Sequence, residues 1–97
     1  MDVAHVDRKL ERLEFDAGFT AAFGSDIVRA YRKVMGVVRA AVDERAFYAM
    51  KSMHFEKLKG SRSHQRSIRL NKQFRLILEI EVEKRKVAVI IAIEDYH

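Results

Sequence analysis

The amino-acid sequence predicts an α+β fold, with an N-terminal strand and two helices packed on one face of a small, mainly antiparallel twisted sheet. Three observations carry that prediction. Apolar residues recur every three or four positions in the first half, at every second position across 66–80, and without interruption across 87–93. The element order is therefore strand, two helices and three strands. A chain of 97 residues accommodates this as a single domain, 1–97.

Residues 2–6 alternate loosely and predict a short edge strand. Asp7 follows at an N-cap position, where its carboxylate can accept the free amides of a first helical turn. Leu10 and Leu13 then predict a helix over 8–15. Gly18 and Gly24 bracket a loop holding Phe19 and Phe23, which with Phe15 and Phe47 read as packing residues. Ser25 reads as the N-cap of the main helix, 26–44, in which Ile27, Tyr31, Val34, Val38 and Ala41 keep helical spacing, joined by Val28, Met35 and Val42. Asp26 suits the positive end of its dipole, and 46–50 reads as a further turn. Arg29, Arg32, Lys33 and Arg39 occupy the remaining surface of this helix.

The strands allow a geometric inference. Ile68 and Leu70 share one face of the segment 66–70, with Ser67 and Arg69 on the other. Phe74, Leu76, Leu78 and Ile80 share a face opposite Gln73, Arg75, Ile77 and Glu79. The apolar faces coincide if Ile68 lies opposite Leu76 and Leu70 opposite Phe74. That register implies a three-residue turn, Asn71-Lys72-Gln73, with Asn71 tolerant of a left-handed backbone. It also sets Arg69 opposite Arg75, away from the helices. Like charges in that relation cost some tenths of a kcal/mol, up to about 1. Two readings stand: a phosphate bridging the two guanidiniums, or a solvated basic face with Arg69 splayed into water. The run 87–93, apolar throughout, predicts a strand buried on both sides.

Composition narrows the function. Hydrophobic residues make up 48% and charged residues 34%, ordinary for a folded domain. Without cysteine, disulfides and thiolate catalysis are excluded, which fits a reducing cytosol. Charges interrupt residues 1–12, so no signal peptide is expected, and the apolar run is too short to span a bilayer. A cytoplasmic protein without a membrane partner is expected. The net charge of +5 and a pI near 9.7 favour polyanionic partners. From 57 to 78 there is no acidic residue, yet Lys57, Lys59, Arg62, Arg66, Arg69, Lys72 and Arg75 all fall there. His5 and His64 lack partners at ligand spacing, and no metal motif is present.

The stretch Leu58-Lys59-Gly60-Ser61-Arg62, the segment from Ser67 through Arg69, Asn71, Gln73 and Phe74 to Leu76, and Asp95-Tyr96-His97 resemble the HigB branch of the RelE/ParE toxin superfamily. The shared patterns are an LKG bend, an S-I-R-x-N-x-Q-[WF]-R hairpin and a terminal D-Y-H. They cover the C-terminal half closely and the helical half by element order. The resemblance implies a RelE-like fold and a ribosome-dependent mRNA endoribonuclease, needing no metal or cofactor and neutralised by a cognate helix-turn-helix antitoxin. It further implies operator DNA as a partner through the toxin–antitoxin complex. By the same resemblance, Lys59 and Arg75 match residues that stabilise the scissile phosphate, and Asp95, Tyr96 and His97 match a terminal catalytic cluster. Some members carry a histidine three residues before the lysine; here Glu56 stands there and His54 lies two residues earlier, which leaves the roles of both open.

Metal-free RNA cleavage needs a base for the 2′-hydroxyl, cations for the charged phosphorane and an acid for the leaving 5′-oxygen. His97 suits acid or base because imidazole titrates near neutrality, although by position a terminal histidine is most often a frayed end. Tyr96 can stack on a base, and Asp95 can orient His97 or cap the sheet end. Lys59 and Arg75 would supply charge, assisted by Arg69 or Arg62. Arg62, Arg66 and Lys57 read as surface charge for ribosomal RNA, and Lys72 and Arg69 as further RNA contacts. Two alternatives stand beside the nuclease. A ParE-like inhibitor of DNA gyrase would need no terminal cluster. A non-catalytic nucleic-acid-binding subunit of a toxin–antitoxin repressor would use the basic side of the main helix.

Overall fold

Asp7 starts the first helix as its position predicts: its Oδ1 accepts the Lys9 amide at 2.8 Å, and α1 runs Arg8–Phe15 behind the first strand β1, Asp2–His5. The computed structural model describes residues 1–95, and Tyr96 and His97 lie outside the described residues. The main helix α2 is Ser25–Ala40, shorter than periodicity suggests at its C-terminal end. Gly24, not Ser25, is its N-cap, and no side chain caps it. Its early end has a local cause. Asp43 Oδ1 accepts the Arg45 amide at 2.9 Å, a side-chain turn that competes with helical bonding and opens a separate short helix, α3, Arg45–Ala49. Val42, counted into the apolar stripe, is consequently 87% exposed.

The remaining strands are β2 (Glu56–Lys57), β3 (Arg66–Arg69), β4 (Phe74–Val82) and β5 (Lys86–Asp95). Their order in the sheet is β1-β5-β4-β3-β2, with β1 parallel to β5 and the other pairs antiparallel. The predicted register of β3 and β4 is observed: Ile68 faces Leu76 and Arg69 faces Arg75. Between β4 and β5 the ladder slips, pairing Ile77 with Ala92 but Leu78 with Ile90, so Ile91 is an extra, bulged residue.

Helices cover one face of this sheet. Leu13, Tyr31, Met35, Val38 and Phe47 meet Ile68, Leu76, Leu78, Ala88 and Ile90, all with no exposed surface. The opposite face has no helical layer, and this corrects the expectation for β5. Ala88 and Ile90 are buried, whereas Val87, Val89, Ile91 and Ala92 are half-buried. On that open face Ile77 is nonetheless fully buried.

Much of the cationic surface of α2 serves internal packing. Arg32 Nε donates to the Leu13 carbonyl at 3.0 Å, and its NH2 donates to the carbonyls of Asp16 and Phe19 at 2.9 and 3.1 Å. These are carbonyls at the end of α1 and in the loop beyond it, groups that otherwise lack partners. Arg39 pairs with Glu14, whose other neighbour is the imidazole of His5 at 3.0 Å. Arg29 and Lys33 are exposed. Arg32 and Arg39 are thus turned toward α1 and the loop beyond it, which leaves Arg29 and Lys33 as the outward cations of this helix.

Tyr31 is fully buried and donates its hydroxyl to the Leu10 carbonyl at 2.8 Å. Tyr31→Phe is expected to lower unfolding free energy by about 1 kcal/mol, read from urea denaturation, with little change in the denaturant slope. A second expectation concerns pH. Lys86 Nζ donates to both carboxylate oxygens of Glu44 at 2.8 and 2.9 Å, holding that carboxyl below its usual value of 4.5. A depressed carboxyl stabilises the fold above its unfolded-state pKa and loses that contribution as pH falls through the folded value. The stability gap between wild type and Glu44→Gln, below about 1 kcal/mol for a half-buried surface pair, should therefore be present at neutral pH and vanish on acidification.

Candidate functional site

The site grows from the β3–β4 turn. Asn71 Oδ1 accepts the amides of Gln73 and Phe74 at 2.8 and 2.7 Å, while Asn71 Nδ2 donates to Asp26 at the start of α2 at 3.1 Å. The turn is shaped by this side chain, not by a left-handed backbone: the non-glycine residues with positive φ are Ala21, Ala22 and His54. With the turn fixed, one cross-strand row on the open face runs Arg69, Arg75, Glu94. Arg69 is exposed and bends its Nε toward the Asn71 carbonyl at 3.3 Å.

Two adjoining cavities open along this row. One, of about 230 Å³, is lined by His54, Glu56, Ser67, Arg69, Asn71, Lys72 and Arg75. The other, of about 380 Å³, is lined by Glu56, Lys57, Leu58, Lys59, Arg62 and Arg75. Arg75 and Glu56 belong to both. Lys59 therefore meets Arg75 across one cavity, and Arg69 and Lys72 meet it across the next. Six of the expected cations line a continuous cleft. It suits a run of phosphates, with lysines as mobile point charges and arginines as planar forks.

Other expected residues fall elsewhere. Arg66 shares the helix-side face with Ile68, and its NH1 donates to the carbonyls of Ser63 and Gln65 at 3.1 and 3.2 Å. It lines neither cavity. Asp95 ends β5 opposite Phe74, one position along β4 from Arg75, and its Oδ2 accepts from the side-chain Nε2 of Gln73 at 3.0 Å. Tyr96 and His97, named with it, are outside the described residues. Among the described residues no group of three or more histidine, cysteine, aspartate or glutamate side chains could hold a metal.

Sequence reading left His54 open and overlooked Glu94. His54 follows a 3-10 turn, Lys51–Met53, in a left-handed conformation (φ 44°, ψ 54°). Such strain is uncommon for a non-glycine residue and clusters at functional sites. That conformation brings His54 to the cleft despite its spacing from Lys59. Glu94 accepts Arg62 NH1 and NH2 at 3.0 and 2.6 Å, and these bonds push the Arg62 guanidinium further above its usual pKa.

The Arg69–Arg75 juxtaposition predicts a measurable signature. Arg69→Thr should stabilise the protein by a few tenths of a kcal/mol, up to about 1, in urea unfolding at low salt. Added inorganic phosphate should narrow that gap by stabilising the wild type more. A gap of zero at low salt would show that Arg69 escapes into water.

The chain matches the family described as RelE-like toxin of type II toxin–antitoxin system HigB over residues 4–97. A search of curated proteins gives no match. Among solved structures it is similar to a YoeB/ParE toxin from Agrobacterium tumefaciens, at 14% identity and a TM-score of 0.60 with both chains covered fully. It is also similar to a conserved hypothetical protein from Helicobacter pylori, at 11% identity and a TM-score of 0.54, covering 99% of this chain and 94% of that one. At such identities the structural likeness speaks to the fold, and the family match, spanning nearly the whole sequence, speaks to descent. The chain belongs to the HigB-like toxins, RelE-like members of the type II toxin–antitoxin systems.

Proposed function

We propose that this toxin is a ribosome-dependent, metal-independent mRNA endoribonuclease that inhibits translation in the cytoplasm and is neutralised by a cognate helix-turn-helix antitoxin. The observation that carries the proposal is the cavity shared by Lys59 and Arg75, continuous with one that holds Arg69 and Lys72. Cations grouped on an open sheet face suit the charge of a phosphodiester as it becomes a pentacoordinate phosphorane. Lys59 and Arg75 would meet the scissile phosphate, with Arg69, Lys72 and Lys57 on flanking backbone. Arg66 is left out of the contact set because its NH1 is turned to the protein's own carbonyls.

Proton transfer is assigned to His97, with Tyr96 stacking on a nucleotide and Asp95 orienting the cluster; this part rests on the family resemblance. Binding to operator DNA would occur through the toxin–antitoxin complex. Among the described residues no helix is long and apolar enough to cross a membrane.

Expression of wild type, Lys59→Ala, Arg75→Ala and His97→Ala, followed by mapping of mRNA ends during growth arrest, tests the proposal. Each variant is expected to lose new 5′ ends by about a hundredfold or more. Equal arrest and equal cleavage with His97→Ala would remove that residue from the mechanism. Accumulated gyrase–DNA cleavage complexes with intact mRNA would assign the toxin to gyrase instead.

A further inference from the structure

We infer that the Arg62–Glu94 pair is a positioning clamp, which holds the bend carrying Lys59 down on the open face of the sheet so that Lys59 stays opposite Arg75. The inference deepens the proposed function, since it takes the Lys59–Arg75 cavity as the phosphate site.

The bend has little else to seat it there. Strand β2 contributes two residues. The backbone bonds of the segment 58–65 are internal: Leu58 N–H to the Gln65 carbonyl at 3.1 Å, Ser63 N–H to Gly60 at 3.1 Å and Gln65 N–H to Arg62 at 2.8 Å. These shape the loop without attaching it to β4 or β5. Leu58, Arg62 and Gln65 are half-buried, and the rest of 58–65 is exposed, so apolar contact adds little. Side chains must do the tethering. Arg66 holds the Ser63 carbonyl, and His64 meets Glu79 on β4 at 3.2 Å, both later in the loop than Arg62 and further along the chain from Lys59. Arg62 alone of these three lines the Lys59–Arg75 cavity.

Its geometry suits a strap better than an RNA contact. Given the strand order, Arg62 must reach across β4 to meet Glu94 on β5. Both terminal nitrogens go to that carboxylate and Nε goes to Gln65 Oε1 at 2.9 Å. A bidentate, charge-assisted contact also fixes orientation, which a single lysine contact would not. Lys59 makes no such bond among the described residues and is left to face the cavity.

The test exploits opposite signs. Glu94→Gln removes a negative charge from a basic cleft. If Arg62 served only as positive charge for RNA, this variant would bind RNA more tightly and cleave at least as fast. The clamp predicts instead that Glu94→Gln and Arg62→Gln each exchange the amides of Leu58, Ser63 and Gln65 about tenfold faster, the effect of losing a charge-assisted hydrogen bond. It also predicts cleavage of mRNA on ribosomes slowed by a similar factor, with unchanged affinity for a 2′-deoxy-substituted RNA in Glu94→Gln. The swap Arg62→Glu with Glu94→Arg should restore slow amide exchange and part of the cleavage rate, and thermal midpoints should stay near wild type in all variants. Unchanged amide exchange in both single variants, or faster cleavage by Glu94→Gln, would overturn the clamp. Loosened amides in a protein whose wild type cleaves no RNA would leave the clamp standing and sink the nuclease proposal.

Discussion

Everything at the cleft depends on the pairing of Ile68 with Leu76. Both side chains are fully buried beneath the helices, and burying residues of this kind is worth about 1.5–3 kcal/mol each. The next rung of the ladder then has no choice: Arg69 must face Arg75 on the other side of the sheet. The repulsion there is at most about 1 kcal/mol, so the core wins and the charges stay together. Two guanidiniums are thus held side by side by hydrophobic burial, and under the proposed function the cost of bringing them together is met in folding and not at the moment of binding.

The cations divide by their partners. Arg32 and Arg39 stitch α1 to α2, and Arg66 braces the loop before β3. These guanidiniums act as planar donors that satisfy carbonyls and, for Arg39, the Glu14 carboxylate, so these donors are committed within the fold. Lys57, Lys59 and Lys72 sit exposed around the cleft. A net charge of +5 therefore understates how unevenly positive charge is offered to a partner.

What the sequence revealed follows from which interactions are local. The turn of α1 at Asp7 and the alternation of β3 and β4 are written in neighbouring residues, so the hairpin register and the Arg69–Arg75 rung could be deduced. The end of α2 could not, because the apolar spacing continues through Val42 while the Asp43 side chain opens a new helix. His54 reaches the cleft through a left-handed backbone that no residue type announces. The depth of β5 was misjudged for another reason: a run of apolar residues reports hydrophobicity, not whether a second layer exists to cover it.

The extra residue in β5 has a consequence for the whole downstream segment. Were Ile91 paired with Ile77 in an unbroken register from the β4–β5 turn, Arg75 would face Ile93, and Glu94 would fall opposite Phe74 on the helix side. Bulging Ile91 out of the ladder advances the strand by one step, which turns Ile93 inward to sit across from Leu76 and sends Glu94 outward beside Arg75. A single irregularity thus acts as a phase shifter, exchanging an isoleucine for a carboxylate at the floor of a basic groove. Pairing Ile91 into the ladder would leave the sequence of the strand unchanged while reversing which of its final side chains the groove can use.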